Sequence, residues 1–398
     1  MEERYQYVLV GGGLASVSAA QAIRETDKEG KILLIGDEPH PPYDRPPFSK
    51  NFITNDEMTP DDGYSKYDDF YPKNTIELHT KTRVTRLDAS SRTITLDSGK
   101  TVTYEKLLLA TGSHALPLKV PGADRQGVFT LRHIEDSISI RDAMRQSKRA
   151  VIVGASYMGM ELAADACSRG LETVVIERQS HVWPKFSSKA LGDTVQGYFE
   201  GKGVRFLLND EPVEFAGDAG SSPVTAVKTK SGETVRTDLI VCAVGVALNT
   251  ELASQAGLEA DPGTGVQVNE YLQTSNPAIW AAGDVASFKD LACGQQWHLE
   301  HFLNAKWQGQ AAGKIMSGGS EPYNQVPYFF SDFLDLHMIL RGDPSRNHQS
   351  IFAGDRGGME FTELYYDQGG RLTMGISISH DEKRLDPISD TLERLLKS

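Results

Sequence analysis

Two glycine-rich turns occupy equivalent places in two stretches of this chain, Gly11-Gly12-Gly13 and Gly154-Ala155-Ser156-Tyr157-Met158-Gly159. Each follows a short apolar run, Tyr7 to Val10 in one case and Ala150 to Val153 in the other. A strand that feeds a tight glycine turn into a helix aims backbone N–H groups and the positive helix end at a pyrophosphate. One such motif is weak evidence, but here the surroundings repeat as well. After Gly13 a helix-like stretch runs Leu14 to Arg24, and the apolar run Ile32 to Ile35 leads to Asp37 and Glu38. After Gly159 the helix-like stretch is Met160 to Ser168, and the run Thr173 to Ile176 ends at Glu177. An acid roughly 20 residues past the glycines, at the tip of the next strand, is placed to accept hydrogen bonds from a ribose.

Both copies continue through polar-apolar alternation broken by turn residues, Thr93 to Leu96 before Asp97-Ser98-Gly99 and Val224 to Thr229 before Ser231-Gly232, which reads as hairpin or meander. Both close on an apolar strand that stops at glycine, Leu107 to Gly112 and Leu239 to Gly245. The expectation is an α/β protein with two Rossmann-like dinucleotide-binding domains, arisen as an architectural duplication. A third run, Ile279 to Val285, carries Gly283-Asp284, where a carboxylate can hold a ribitol hydroxyl while the glycine lets backbone approach a phosphate. Two positions depart from the glycine pattern. Ser16 takes the third glycine of the first turn and Ser156 the middle glycine of the second.

Composition agrees. The chain has 398 residues, 39% of them hydrophobic, enough for two to three domains with substantial cores. No apolar run approaches the roughly 20 residues that span a bilayer, and Met1-Glu2-Glu3-Arg4 leads straight into the first strand, so neither membrane span nor signal peptide is expected. A net charge of −13 without any basic cluster argues against nucleic acid or anionic membranes as partners, and a cytoplasmic enzyme is expected.

The order and spacing of Gly36-Asp37-Glu38-Pro39, Tyr43 to Lys50, Ala110-Thr111-Gly112, Thr130-Leu131-Arg132 and Ala282-Gly283-Asp284 make the chain resemble the two-dinucleotide flavoprotein (pyridine nucleotide-disulfide oxidoreductase) superfamily. Within it the resemblance is to the single-flavin branch of ferredoxin, putidaredoxin and rubredoxin reductases, monodehydroascorbate reductase and apoptosis-inducing-factor-like proteins. That resemblance implies a glutathione-reductase-like arrangement: residues 1–113 and 246–322 bind FAD, 114–245 bind NADH, and 323–398 form a C-terminal α+β domain. The tail suits the last of these, with strand-like runs at His337 to Arg341, Ser350 to Ala353, Glu360 to Tyr366 and Leu372 to Ser379. A final helix is expected over Asp386 to Lys397, with Ile388, Leu392, Leu395 and Leu396 on one side.

The resemblance also implies site residues. Lys50 lies beside the flavin N5 and pairs with Glu161, a cation there favouring the negative charge of reduced flavin. The bland alternatives are a surface lysine and a glutamate on an exposed helical turn. For FAD the implied set is Gly11, Gly13, Leu14, Ala15, Asp37, Glu38, Arg45, Lys50, Val84, Ala110, Thr111, Gly112, Arg132, Gly283, Asp284, Glu300, His301, Phe302 and Phe330. For NADH it is Gly154, Ser156, Tyr157, Met158, Gly159, Glu161, Glu177, Arg178, Ala243, Val244 and Gly245. Phe302 reads equally as a core aromatic. Glu177 should repel a 2′-phosphate and favour NADH over NADPH, with Arg178 next to it pulling the other way.

The disulfide reductases of this superfamily pass electrons through a cysteine, but Cys167, Cys242 and Cys293 show no CxxC spacing and read as structural thiols. His298, Glu300 and His301 lack metalloprotease spacing, and no metal is expected. Electrons must then leave the flavin for an external acceptor. By resemblance the leading acceptor is a ferredoxin- or rubredoxin-like iron–sulfur protein; oxygen, a quinone or a radical is the alternative, and an apoptosis-inducing-factor-like NADH-responsive sensor is a reading of another class. The resemblance leaves a homodimer open.

Overall fold

The computed structural model describes residues 3–64, 69–218, 222–291 and 294–397; Cys293 lies outside them. The chain divides into two compact units. One comprises Met1–Asp44, Thr59–His114 and Ala247–Val326; the other comprises Arg45–Met58, Ala115–Val246 and Pro327–Ser398.

The first unit is built on a sheet whose consecutive neighbours are Ile76–His79, Ile32–Ile35, Glu3–Val10 and Thr101–Leu109, all parallel. All four residues of Ile32–Ile35 are buried, as a central parallel strand covered on both faces requires. The long strand Thr101–Leu109 serves two neighbours: its start pairs antiparallel with Thr93–Leu96, and its end pairs in parallel with Ile279–Ala281. The helices Leu14–Thr26 and Phe302–Met316 approach closely because Gly309 and Gly313 present no side chain. A Cβ on Gly309 would stand 2.2 Å from the Ala15 carbonyl oxygen, and one on Gly313 would stand 2.4 Å from that of Ala19.

The second unit repeats the design. Its parallel sheet runs Arg205–Leu208, Glu172–Glu177, Arg149–Val153, Leu239–Cys242, Val128–Thr130, with a separate antiparallel meander of Pro212–Gly217, Val224–Thr229 and Thr234–Arg236. The same unit holds a five-stranded antiparallel sheet in the order Tyr328–Phe333, Leu336–Gly342, Leu372–Ser379, Glu360–Tyr366, Gln349–Asp355. Alternation along Glu360–Tyr366 turns Phe361, Glu363 and Tyr365 inward. Phe361 and Tyr365 join Ile53, Met160, Trp183 and Phe333 in one buried cluster, which is why residues 45–58 and the tail group with 115–246.

Two local expectations need correction. The second glycine turn enters its helix at Tyr157, three residues before Met160, because Ser156 is the N-cap. In the terminal helix, Leu385–Lys397, the buried stripe is Leu385, Ser389, Leu392 and Leu396, whereas Leu395 is 52% exposed. The true stripe follows the i, i+4, i+7, i+11 rows of a helix, and Leu395 stands one residue off them.

Candidate functional site

The two glycine turns are superimposable in their bonding. Gly11 N–H donates to Ile35 O and Gly154 N–H to Ile176 O, both at 2.8 Å. Ala110 N–H donates to Val10 O and Ala243 N–H to Val153 O, also at 2.8 Å. Gly11 has φ +125 and Gly154 φ +105, and a Cβ on either would strike the neighbouring carbonyl, Ala110 O at 2.0 Å or Ala243 O at 2.4 Å. At the third position Gly159 is equally forced, since its Cβ would lie 2.0 Å from Gly154 O; in the first turn Ser16 takes that place, fully buried with its hydroxyl unpartnered. By contrast, a Cβ on Gly13 would meet nothing within 4 Å.

Each turn caps a helix of twelve or thirteen residues, Leu14–Thr26 after Gly13 and Tyr157–Ser168 after Ser156, and neither cap residue supplies a side-chain hydrogen bond. The first N–H groups of both helices, from Leu14 and Ala15 and from Tyr157 and Met158, therefore face outward as anion donors. This is a cradle that fits a pyrophosphate in each unit. Tyr157 contributes backbone alone, because its ring stacks on Phe186 and Phe329 at 4.1 and 5.3 Å between centroids.

In the first unit most of the remaining residues read for the cofactor follow strands or begin the helix Phe302–Met316. Glu38 accepts from the Tyr43 hydroxyl at 2.7 Å, while exposed Asp37 pairs with Arg83 at 3.0 Å. Thr111 and Asn249 exchange two bonds, Thr111 Oγ1 to Asn249 O and Asn249 Nδ2 to Thr111 O, which pins Ala110-Thr111-Gly112. Asp284 accepts from Ser113 Oγ at 2.7 Å, and Gly283 N–H donates to the buried Gln308 at 2.9 Å. Val84 is a buried strand residue. His301 caps the helix Phe302–Met316, its Nδ1 accepting from Leu303 N–H, and Phe302 is half-buried at the first helical position. His298 pairs with Glu300 at 2.9 Å, and that carboxylate holds the imidazole above its ordinary proton affinity. Among the described residues no three His, Cys, Asp or Glu side chains gather as a metal site.

In the second unit Glu177 is buried, one oxygen accepting from Ala155 N–H at 2.7 Å and the other from Gln179 N–H at 2.9 Å, so it braces the turn from beneath. Arg178 is exposed beside it, as are Met158 and Val244; Ala243 lies behind Gly159, and Gly245 has φ +114. Arg45, Lys50, Arg132 and Phe330, read from sequence with the flavin set, belong to this unit, and Arg45 donates to Arg132 O at 2.6 Å.

Lys50 and Glu161 form the most developed polar constellation of the unit. Lys50 separates the turn Pro46–Ser49 from the short helix Asn51–Thr54. Phe48, Phe52 and Ile53 anchor that segment in the core, and the guanidinium of Arg141 lies 3.8 Å from the Phe52 ring centroid. The Lys50 side chain is only 13% exposed and its ammonium stands 3.4 Å from Glu161 Oε1 and 3.1 Å from Asp332 Oδ2. It also sits 5.0 Å from the centroid of the Phe330 ring. Glu161 accepts from Ser49 Oγ at 2.9 Å and from Ser331 Oγ at 2.6 Å. Burial raises the Glu161 carboxyl above its usual range while Lys50 and the two serines pull it back. The bland reading of both residues as exposed surface groups is excluded. Ser49, Ser331 and Asp332 are site residues that the sequence reading does not single out, although Ser49 adjoins Lys50 and Ser331 adjoins Phe330.

One helical turn past Glu161, Asp165 is 7% exposed and its Oδ2 has no hydrogen-bond partner. Burial pushes this carboxyl well above its ordinary value, with repulsion from Glu161 adding to it. A raised folded value means that the folded state loses stability as pH rises from the unfolded value towards the folded one. Asp165→Asn should therefore gain stability over wild type progressively with pH, reaching about 1 kcal/mol or more at pH near 8, the order expected for relieving a poorly compensated buried group. Thermal melts at several pH values check this, and a constant difference would refute it.

Comparison with known proteins fits this geometry. Residues 5–309 match the model of the family described as pyridine nucleotide-disulphide oxidoreductase. A rubredoxin–NAD(+) reductase of Pseudomonas putida is 34% identical over 362 residues, 91% of this chain and 92% of that protein. A ferredoxin reductase of Rhodopseudomonas palustris has a TM-score of 0.89 at 32% identity, covering 94% of this chain and 91% of its own. Putidaredoxin reductase, crystallised in covalent complex with putidaredoxin, has a TM-score of 0.92 at 27% identity, covering 100% and 96%. With two braced glycine turns, a family match over residues 5–309 and a relative 34% identical over 91% of this chain's length, the chain belongs to the pyridine nucleotide-disulphide oxidoreductase family.

Proposed function

We propose that this protein oxidises NADH through FAD and delivers the electrons to a small iron–sulfur protein of ferredoxin or rubredoxin type. The observation that carries the reading is the buried Lys50–Glu161 ion pair bracketed by Ser49 and Ser331, in the unit that also holds the second dinucleotide turn. Bound FAD supplies an acceptor for hydride and a donor of single electrons. The chain does the rest. Backbone N–H groups at the two helix starts hold the pyrophosphates, and Glu38 and Asp284 offer carboxylate oxygens to ribose and ribitol hydroxyls. Lys50 would supply a positive charge to bound flavin, and Glu161 and Asp332 hold its ammonium in place without rearrangement.

The described thiols do not compete for electrons. Burial pushes Cys242 up to about 12 and raises Cys167, so neither is a thiolate at neutral pH, and only the thiolate attacks. Among the described residues no helix is long and apolar enough to cross a membrane. The names of the similar reductases, which act with rubredoxin, ferredoxin and putidaredoxin, support the acceptor class.

The purified protein should be yellow with non-covalent FAD, and anaerobic NADH should bleach it. Mixing the reduced protein with ferredoxin, rubredoxin, quinone and oxygen in turn ranks the acceptors; faster reoxidation by oxygen than by either iron–sulfur protein would overturn the proposal. Because Glu177 places a carboxylate under the second turn, NADH should exceed NADPH in kcat/KM about tenfold or more, roughly 1.4 kcal/mol of discrimination. Equal values would show that exposed Arg178 governs the ribose end instead.

A further inference from the structure

The ammonium of Lys50 has a second acid partner with a group of its own behind it. Asp332 Oδ2 takes Lys50 at 3.1 Å, and Asp332 Oδ1 lies 2.7 Å from Nδ1 of His337, directly across the antiparallel pair Tyr328–Phe333 and Leu336–Gly342. The Asp332 side chain is 45% and that of His337 33% exposed, so the row His337, Asp332, Lys50, Glu161 leads from solvent to a buried carboxylate.

We propose that His337, acting through Asp332, is a positioning residue for Lys50, and that its protonation sets how much of the Lys50 charge is available for hydride transfer. The inference rests on the proposed role of Lys50 at the flavin. With neutral imidazole, Lys50 faces two carboxylates, and the row sums to one negative charge. With imidazolium, Nδ1–H binds Asp332 as an ion pair, the row becomes neutral, and Lys50 is released from part of its neutralisation.

The charged groups around the row leave this count intact. Asp165 lies a turn behind Glu161 with its carboxyl pushed well above the usual range by burial, and it is common to wild type and variants, so it does not enter the difference between their pH profiles. On the strand pairing the other side of His337, the residue opposite is Ser379, which carries no charge. Asp335, in the turn after Asp332, is engaged by the Tyr198 hydroxyl, Lys202 and His380. The Ser379 hydroxyl in turn donates to Glu360, which pairs with Arg384, so His337 contacts Asp332 and Lys50 stands behind that carboxylate.

A change of one unit in the charge of this row is expected to change the rate by about three- to tenfold. The test is anaerobic rapid-mixing reduction of the holoprotein by NADH from about pH 5.5 to about pH 9, across the span in which imidazole changes charge. The wild-type rate should fall by that factor as pH rises, and His337→Gln should flatten the profile while retaining FAD. Asp332→Asn, which removes the same link from the other side, should also flatten it and shows the same result should the first variant fold poorly. The slope of flavin midpoint potential against pH should decrease in both, a readout that a purely structural role would not move. An unchanged profile in a flavin-loaded His337→Gln or Asp332→Asn protein overturns the inference. If Lys50→Ala is itself reduced at the wild-type rate, the reading of Lys50 fails; if Lys50→Ala is slow and the His337→Gln profile is unaltered, only this inference does.

Discussion

Lys50→Ala protein that retains FAD should be reduced by NADH about 10- to 1,000-fold more slowly than wild type, the range for removing one preorganised electrostatic group. The substitution deletes the cation held between Glu161 and Asp332, yet leaves the cradle of Gly11, Glu38, Ala110 to Gly112 and Asp284 in the other unit untouched. It also leaves Glu161 buried with two serines and without its lysine, which should lift its proton affinity further, while loss of the cation itself should lower the flavin potential. Rapid mixing under nitrogen measures the rate. A wild-type rate would mean that the ammonium serves only to hold the 45–58 segment.

Gly11→Ala and Gly13→Ala should fail in different ways although they stand two residues apart. At Gly11 an alanine must adopt φ +125 with its methyl 2.0 Å from Ala110 O, so the strand end itself must move, costing about 2–4 kcal/mol and much of the bound flavin. At Gly13 the backbone is extended, φ −104, and the added methyl meets no protein atom within 4 Å. The fold should therefore keep its stability, and the loss, about 10- to 100-fold in FAD affinity, should come from the methyl displacing a pyrophosphate that needs close backbone approach. Apo-protein melts and FAD titrations separate the two. Equal melting losses would show that the space before Gly13 is not where the phosphates lie. Ser156 at the matching place of the second turn, also in extended backbone at φ −86, already shows that the protein tolerates a side chain there.

The duplication was legible because its signals are local. Gly11 and Gly154 are demanded by backbone geometry within one turn, and the runs Ile32–Ile35, Thr93–Leu96 and Val224–Thr229 occur as strands at the bounds their patterns mark. The Lys50–Glu161 pairing came from resemblance rather than from spacing, since 111 residues separate the two. Their serine brackets were invisible, because Ser49 and Ser331 matter only once a turn and a distant strand meet the same helix. Leu395 misled for the opposite reason: apolar type alone does not say which row of a helix is covered.

What the sequence by itself determined is the pair of strand–glycine–helix turns and the acids at their strand tips, because hydrogen bonding and steric limits there act between near neighbours. What only the tertiary structure decided is which long-range partners share a charge. The placing of residues 45–58 and 327–398 against the helix Tyr157–Ser168 brings Lys50 between Glu161 and Asp332, sets His337 behind them and shuts Asp165 away from water. Those contacts depend on burial of Ile53, Met160 and Phe333 in a common core, a free energy summed over the whole unit that no single stretch of sequence carries.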